Sequence, residues 1–301
     1  MLTNTMEQEE LNKWKKAGQI ASEAREYGLT LIKEGANVLE VARKTEELIL
    51  KKGGKFGFPV QVSINDMAAH YTPFPDDALC FKNGDLVKFD LGAQIDGYIG
   101  DTASTVEIGT NKYSDLIKAS REALNEAIKL CKPGTKIYQI GEVVEQTITK
   151  YGFKPIKNLS GHKVDRYILH SNLSIPNFNN NDRTELKQGT VIAIEPFATT
   201  GIGLVREGKQ SSNYRLFSSA NIRDNSTRDV LEYIKKEFVT LPFAKRHLTL
   251  KFPVQKVTLA LFNLEKNGII YGYPQLPEKS NGMVSQAEHT ILINDTPIVL
   301  T

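Results

Sequence analysis

The sequence predicts an α+β protein made of two similar helix–helix–hairpin halves about a pseudo-twofold axis, with a helical subdomain inserted into the second half. Three observations carry this expectation. The first is Asp96-Gly97, between the runs Lys88–Ile95 and Tyr98–Val106. Asp-Gly is favoured in two-residue hairpin turns because both positions take positive φ. The second is an internal echo: Lys33-Glu34-Gly35-Ala36-Asn37-Val38 returns 99 positions later as Lys132-Pro133-Gly134-Thr135-Lys136-Ile137. At the same offset Glu46 meets Glu145 and Gly53 meets Gly152, and Phe81–Asp90 returns as Leu186–Glu195 at an offset of 105. Repetition of a supersecondary unit implies repetition of architecture. The third is spacing. Asp90 and Asp101 lie 11 apart, whereas their second-half counterparts Glu195 and Glu288 lie 93 apart. An excess of that length is too long for a structureless loop in a compact domain.

The elements follow in order. Ile20, Ala24, Tyr27 and Leu31 at helical spacing predict a helix over about Gln8–Ile32. A second runs from about Val38 to Lys51, closed by Gly53-Gly54. Phe58–Asn65 reads as a strand leading into the loop His70-Tyr71-Thr72-Pro73, and Lys82–Asp85 as the turn that opens the hairpin. Leu116–Leu130 is the next helix, after which the second half retraces the first. Thr227–Phe238 and Val254–Asn267, the latter stopped by Gly268, are the helices of the insertion. The expected division is a catalytic domain of residues 1–204 and 272–301, and an inserted helical subdomain of residues 205–271.

Composition narrows the class. The chain has 301 residues, 40% hydrophobic and 24% charged, enough for a substantial core in a soluble protein. A net charge of +3 is too small to argue for nucleic acid across the whole surface. The first residues lack an apolar signal core and no window approaches a membrane span. Cys80 and Cys131 read as plain thiols of a reducing compartment. The expected location is the cytoplasm, away from any membrane.

Pairing outward from the turn sets Ile95 opposite Tyr98, Gly92 opposite Asp101 and Asp90 opposite Ala103. Asp90 and Asp101 then share a face as diagonal neighbours roughly 7–8 Å apart. Carboxylates so held repel each other unless a cation intervenes, and two divalent ions about 3.5–4 Å apart would fit. Two solvated strand aspartates are the competing reading, until the repeat adds Glu195 and Glu288 from the other half. Oxygen-rich sites for first-row metals commonly add an imidazole. Of the five histidines, His162 in Ser160-Gly161-His162-Lys163 is the best placed, ahead of the Glu195 strand. A lone histidine is more often structural, and His247 stays in that class.

Together, Ala69-His70-Tyr71-Thr72-Pro73, Asp90-Leu91-Gly92, Gly100-Asp101, Ser160-Gly161-His162-Lys163, Ile194-Glu195-Pro196 and Gln286-Ala287-Glu288-His289-Thr290 resemble the methionine aminopeptidases. The long insertion before Tyr271 resembles their type 2 branch. The resemblance covers essentially the whole chain and implies the pita-bread fold, a duplicated core whose curved antiparallel sheet cradles a dinuclear metal centre. It implies Asp90 as ligand of one metal, His162 and Glu195 as ligands of the other, and Asp101 and Glu288 as bridges. The implied cofactors are two divalent ions, of cobalt, manganese, iron or zinc, which activate water to remove the N-terminal methionine of nascent polypeptides.

Further roles follow from the resemblance alone. His70 would hydrogen-bond to the scissile peptide and His170 would stabilise the developing oxyanion. Phe58, Leu169, Phe197 and Tyr273 would line the methionine pocket with those histidines, while His289 stays unassigned. Two other readings remain open: an Xaa-Pro peptidase of the same fold, and a non-catalytic module that binds nucleic acid or protein. Between Arg206 and Gly272 twelve Lys or Arg residues face six Asp or Glu, which raises the ribosome as a partner. A monomer is the simpler expectation.

Overall fold

In the computed structural model, which describes residues 6–218, 220 and 222–301, the chain opens with α1 (Gln8–Leu31). Residues 1–5 of the larger expected domain, and 219 and 221 of the insertion, lie outside the described residues. α2 (Val38–Lys51) starts at Asn37, whose side chain accepts the Glu40 backbone N–H at 3.0 Å and satisfies one otherwise orphaned donor. β1 (Lys55–Ile64), β2 (Leu86–Ile95) and β3 (Tyr98–Glu107) form an antiparallel sheet in the order β1-β2-β3. The hairpin register agrees with the sequence expectation: Ile95 opposes Tyr98, Gly92 opposes Asp101 and Asp90 opposes Ala103. Its turn has φ of 50° at Asp96 and 88° at Gly97. Ile20, Val41, Ile49, Val62 and Phe89 close the core between helices and sheet.

The second half repeats this plan. α3 (Ser114–Lys129) precedes α4 (Ile137–Lys150), and α4 has the same 14-residue length as α2. Left-handed glycines recur in pairs at Gly35 and Gly134, Gly53 and Gly152, Gly84 and Gly189. Only glycine enters that region without steric cost, so the echo in sequence is an echo of backbone path. β4 (Ser160–Lys163), β5 (Val191–Ile194) and β6 (Phe197–Thr199) follow.

The long interruption then begins with β7 (Gln210–Leu216) and continues through α5 (Asn225–Glu237), a short helix Lys245–Thr249, α6 (Val254–Lys266) and β8 (Ile270–Pro274). The two expected helices are present, and Gly268 has φ of 63° just beyond the second. The stretch is not purely helical, however. β7 is the centre of a three-stranded antiparallel sheet, between Phe243–Ala244 and β8. Its sequence hides it, because Ser211, Ser212 and Asn213 are polar yet buried. Val230, Ile234, Phe243, Val257 and Leu261 give this stretch a core of its own.

β9 (Val284–Gln286) and β10 (His289–Leu292) complete the second hairpin. They pair with β6 and β5 in one continuing register, with Gln286 across from Phe197 and His289 across from Ile194. The first-half hairpin is continuous, whereas this one is broken at Glu195-Pro196 and Ala287-Glu288. Proline donates no N–H, so the ladder lapses there and Glu195 is left free of strand geometry.

One buried ionic joint ties the interruption to the first half. Glu46 of α2 accepts from Arg246 (Nε, 3.1 Å), from the Val60 N–H (3.1 Å) and contacts His247 Nε2 at 3.1 Å. Arg246 also donates to the carbonyls of Pro73 (3.1 Å) and Val60 (3.2 Å). Burial alone would raise the Glu46 pKa, but Arg246 and His247 outweigh it and hold the carboxyl down at about 2. This contribution is therefore present above the ordinary carboxyl pKa of 4.5 and is lost as pH falls towards 2. Arg246→Met strands the carboxylate without its partner and is expected to cost about 3–5 kcal/mol in urea denaturation at pH 7. A loss below about 1 kcal/mol would mean that the joint is not a net support.

Candidate metal centre

β2 and β3 aim Asp90 and Asp101 at the same space, as period-two alternation in a hairpin requires. From the other half, Glu288 reaches that space because the two hairpins meet there. Glu288 N–H donates to Ala103 O at 3.0 Å, and Thr102 Oγ1 donates to Glu288 O at 3.0 Å. Thr290 Oγ1 fixes Asp101 on both sides, accepting its N–H and donating to its carbonyl, each at 2.8 Å. His162 on β4 turns Nε2 towards Asp101 Oδ2 (3.5 Å) and Glu195 Oε1 (3.9 Å). One atom each of Asp101, His162 and Glu288 lie within 4.8 Å of one another. Gln286 Nε2 spans the remaining pair, 3.4 Å from Asp90 Oδ2 and 3.2 Å from Glu195 Oε2.

This donor set fits divalent cations. Asp90 Oδ1, Asp101 Oδ1 and Glu288 Oε2 are buried with no hydrogen-bond partner among the described residues. A single neutral amide cannot balance four carboxylates. Burial raises the Asp90 pKa to about 7. Burial and then the charges of neighbouring carboxylates push Asp101, Glu195 and Glu288 well above the usual carboxyl range. Without a cation the cluster holds protons, and a cation must displace them. Because the folded pKa of Asp90 is raised, its contribution favours the fold at low pH and is lost as pH climbs towards 7. Manganese is therefore expected to raise the melting temperature more at pH 7.5 than at pH 5. Apparent affinity should gain about tenfold per pH unit for each proton released. An equal thermal shift at both pH values would contradict this linkage.

Around the cluster is a cavity of about 230 Å³. Asp90, Asp101, His162, Glu195, Glu288, His70, His170, Phe58, Leu169, Phe197 and Tyr273 all line it. His70 sits at φ 69°, with its N–H on Gln61 Oε1 (2.9 Å) and its carbonyl accepting from Ser211 Oγ (2.5 Å). Its Nδ1 lies 3.0 Å from Pro274 O, a group that only accepts, so Nδ1 carries the proton and Nε2 is an acceptor. Burial keeps His70 neutral despite that carbonyl. The His170 ring stands edge-on to His162 at 4.4 Å and borders the open mouth. Although the residue is exposed at that mouth, desolvation of its ring comes first in drawing its pKa well below the ordinary value, with His162, His70 and Arg215 adding to it.

His289 does not line the cavity; its Nδ1 meets Thr301 Oγ1 at 3.0 Å. Gln61, Asn158, Asn213 and Gln286 shape the site without having been singled out from sequence. Nothing local marks them: Gln61, Asn213 and Gln286 are polar residues whose burial comes from distant chain, and Asn158 is an exposed residue at the rim.

The family model for metallopeptidase family M24 matches residues 12–228. The methionine aminopeptidase of Pyrococcus abyssi is 46% identical over 293 residues, 97% of this chain and 99% of that protein. Among solved structures, a thermophilic Arx1 aligns with a TM-score of 0.86 at 19% identity, covering 98% of this chain and 91% of that one. A methionine aminopeptidase from Thermotoga maritima aligns with a TM-score of 0.72 at 24% identity, covering 98% of both chains. The two structures speak for the shared pita-bread fold, and the sequence matches speak for descent. With four inward carboxylates and an imidazole at the meeting of two duplicated hairpins, the chain belongs to metallopeptidase family M24, among its methionine aminopeptidases.

Proposed function

We propose that this chain is a monomeric, cytoplasmic type 2 methionine aminopeptidase that removes the N-terminal methionine of nascent polypeptides. The observation that carries the reading is the convergence of four carboxylates, two of them buried, and His162 on a cavity that also holds two neutral histidines. Asp90, Asp101, His162, Glu195 and Glu288 would hold two divalent ions, of cobalt, manganese, iron or zinc, which when bound lower the pKa of water towards neutrality.

The protein groups supply the rest. Gln286 steers Asp90 and Glu195 by donating to both. His70 Nε2, left as an acceptor by the Pro274 carbonyl, takes the N–H of the scissile amide and orients that bond. Neutral His170 donates an N–H to the oxygen that becomes negative, and its low pKa keeps it from arriving as an imidazolium. Phe58, Leu169, Phe197 and Tyr273 offer an apolar wall for a methionine side chain. The small volume of about 230 Å³ admits one residue and the reacting bond rather than a loop of folded chain.

Residues 1–204 and 272–301 would form the catalytic body and 205–271 the insertion, whose separate core supports the division. Two unpaired cysteines, Cys80 and Cys131, support a reducing compartment, and among the described residues no helix is long and apolar enough to cross a membrane. The basic excess of the insertion supports an approach to ribosomal RNA, which salt-sensitive co-sedimentation with ribosomes would test. For the activity, the metal-reconstituted protein should release methionine from Met-Ala and Met-Gly peptides. Faster cleavage of Xaa-Pro substrates would replace this reading with the prolidase one, and tight RNA binding without methionine release would replace it with the binding-module one.

A further inference from the structure

The cavity continues into a second, open depression of about 430 Å³. The two share Leu169, His170, Pro242 and Tyr273. Only the methionine and the reacting bond fit in the inner chamber, so the rest of a substrate has to leave along a surface joined to it. This depression has what a passing peptide needs. Ile168 and Phe217 line it and are 47% and 63% exposed; neighbouring Tyr271 is 41% exposed. Large apolar side chains grouped in the open around a polar centre mark an interaction surface.

The polar centre is Arg215, on β7. Its guanidinium carbon lies 5.5 Å from the centre of the Phe217 ring and 5.8 Å from that of Tyr271. Ring contacts occupy the faces of the guanidinium and the Tyr273 hydroxyl meets part of its edge, which leaves the other edge donors for a planar acceptor. Among the described residues, no carboxylate lies within ion-pair distance of it. The inner chamber is acidic, so a permanent cation just outside it is not there to receive the substrate amine. It fits an anionic group further along the peptide.

We propose that this shelf reads a carboxylate side chain in the downstream part of the substrate. Arg215 pairs with an aspartate or glutamate a few residues beyond the cleaved bond, while intervening apolar side chains rest on Ile168 and Phe217. An extended chain advances about 3.3–3.6 Å per residue, so the two to four residues after the new N-terminus span the shelf. The proposal rests on the aminopeptidase reading and adds a preference that the metal cluster and methionine pocket cannot produce.

The test uses Met-Ala octapeptide amides, whose only carboxylate is one aspartate moved through positions 3 to 6, each compared with its asparagine twin. With the full-length, metal-loaded protein, aspartate at one or two positions should raise kcat/KM about fivefold through KM, and added salt should erode the gain. Arg215→Gln should remove the difference between aspartate and asparagine, and Arg215→Glu should shift the preference to lysine. Affinities of the same peptides, measured by competition against a fluorescent octapeptide, should follow the same order without relying on turnover. Equal affinities for aspartate and asparagine twins at every position would overturn the shelf, as would a preference that survives Arg215→Gln. Absence of methionine release from every peptide would overturn the aminopeptidase reading, while the affinity comparison would still decide the shelf.

Discussion

Asp101→Asn is expected to lower methionine release by about 10³-fold or more, the scale on which losing one member of a catalytic constellation acts, and to lower metal content on the same sample. The substitution keeps the shape of the side chain, and the hydrogen bonds that hold this backbone to Thr290 do not involve the carboxylate. The fold should therefore survive. The physical change is the loss of one negative charge from a cluster in which Asp101 itself, together with Asp90, pushes up the pKa of Glu195 and Glu288. Two opposite effects follow. Metal-free protein should gain thermal stability at pH 7.5, because one source of buried repulsion is gone. The stabilisation that manganese confers should largely vanish, because the ligand is gone. A residue of the same burial that served only the fold would destabilise when changed. Full activity with normal metal content would reject Asp101 as a ligand, and the same pair of measurements applies to Glu288→Ala.

His170→Ala is expected to lower kcat by about 10²–10³-fold with little change in KM, since its proposed donor acts on charge that exists only in the transition state. The ring contacts His162 edge-on, so metal content must be measured beside the rate. A drop in kcat with full metal occupancy supports the role; a drop that follows lost metal would make His170 a support for His162 instead. A kcat within about fivefold of the starting protein would remove His170 from the chemistry.

The parts of this molecule legible in its sequence are those governed by local rules. Asp96-Gly97 set the hairpin, and the hairpin set which aspartates share a face. The repeat was legible because helix caps and left-handed turns demand particular residues, so Gly35 and Gly134 mark equivalent corners. What escaped depends on distant contacts. β7 lacks the apolar alternation of a strand and lies within the stretch expected to be helical, because Ser211 and Asn213 are buried to serve His70 and the cavity wall rather than a hydrophobic face. The left-handed backbone of His70 has no local signature, since it is held by Gln61 and by Ser211 from 141 positions away. Gln286 opens the Gln286–Thr290 motif, but its link between Asp90 and Glu195 exists only once both halves meet.

Glu46 and Glu145, paired by the 99-residue echo, have parted company. Glu145 stays near the surface, with Lys157 at 3.0 Å and the Asn179 N–H at 3.2 Å. Glu46 is enclosed by Arg246 and His247, and Ser211 from the same long interruption holds the His70 carbonyl. The interruption is therefore not a detachable accessory. A miniaturised version lacking residues 206–271 would retain every proposed metal ligand, yet it would strip Glu46 of both its cationic partner and its cover, and the His70 carbonyl of its donor. Engineering a smaller catalyst from this scaffold would have to begin by neutralising Glu46.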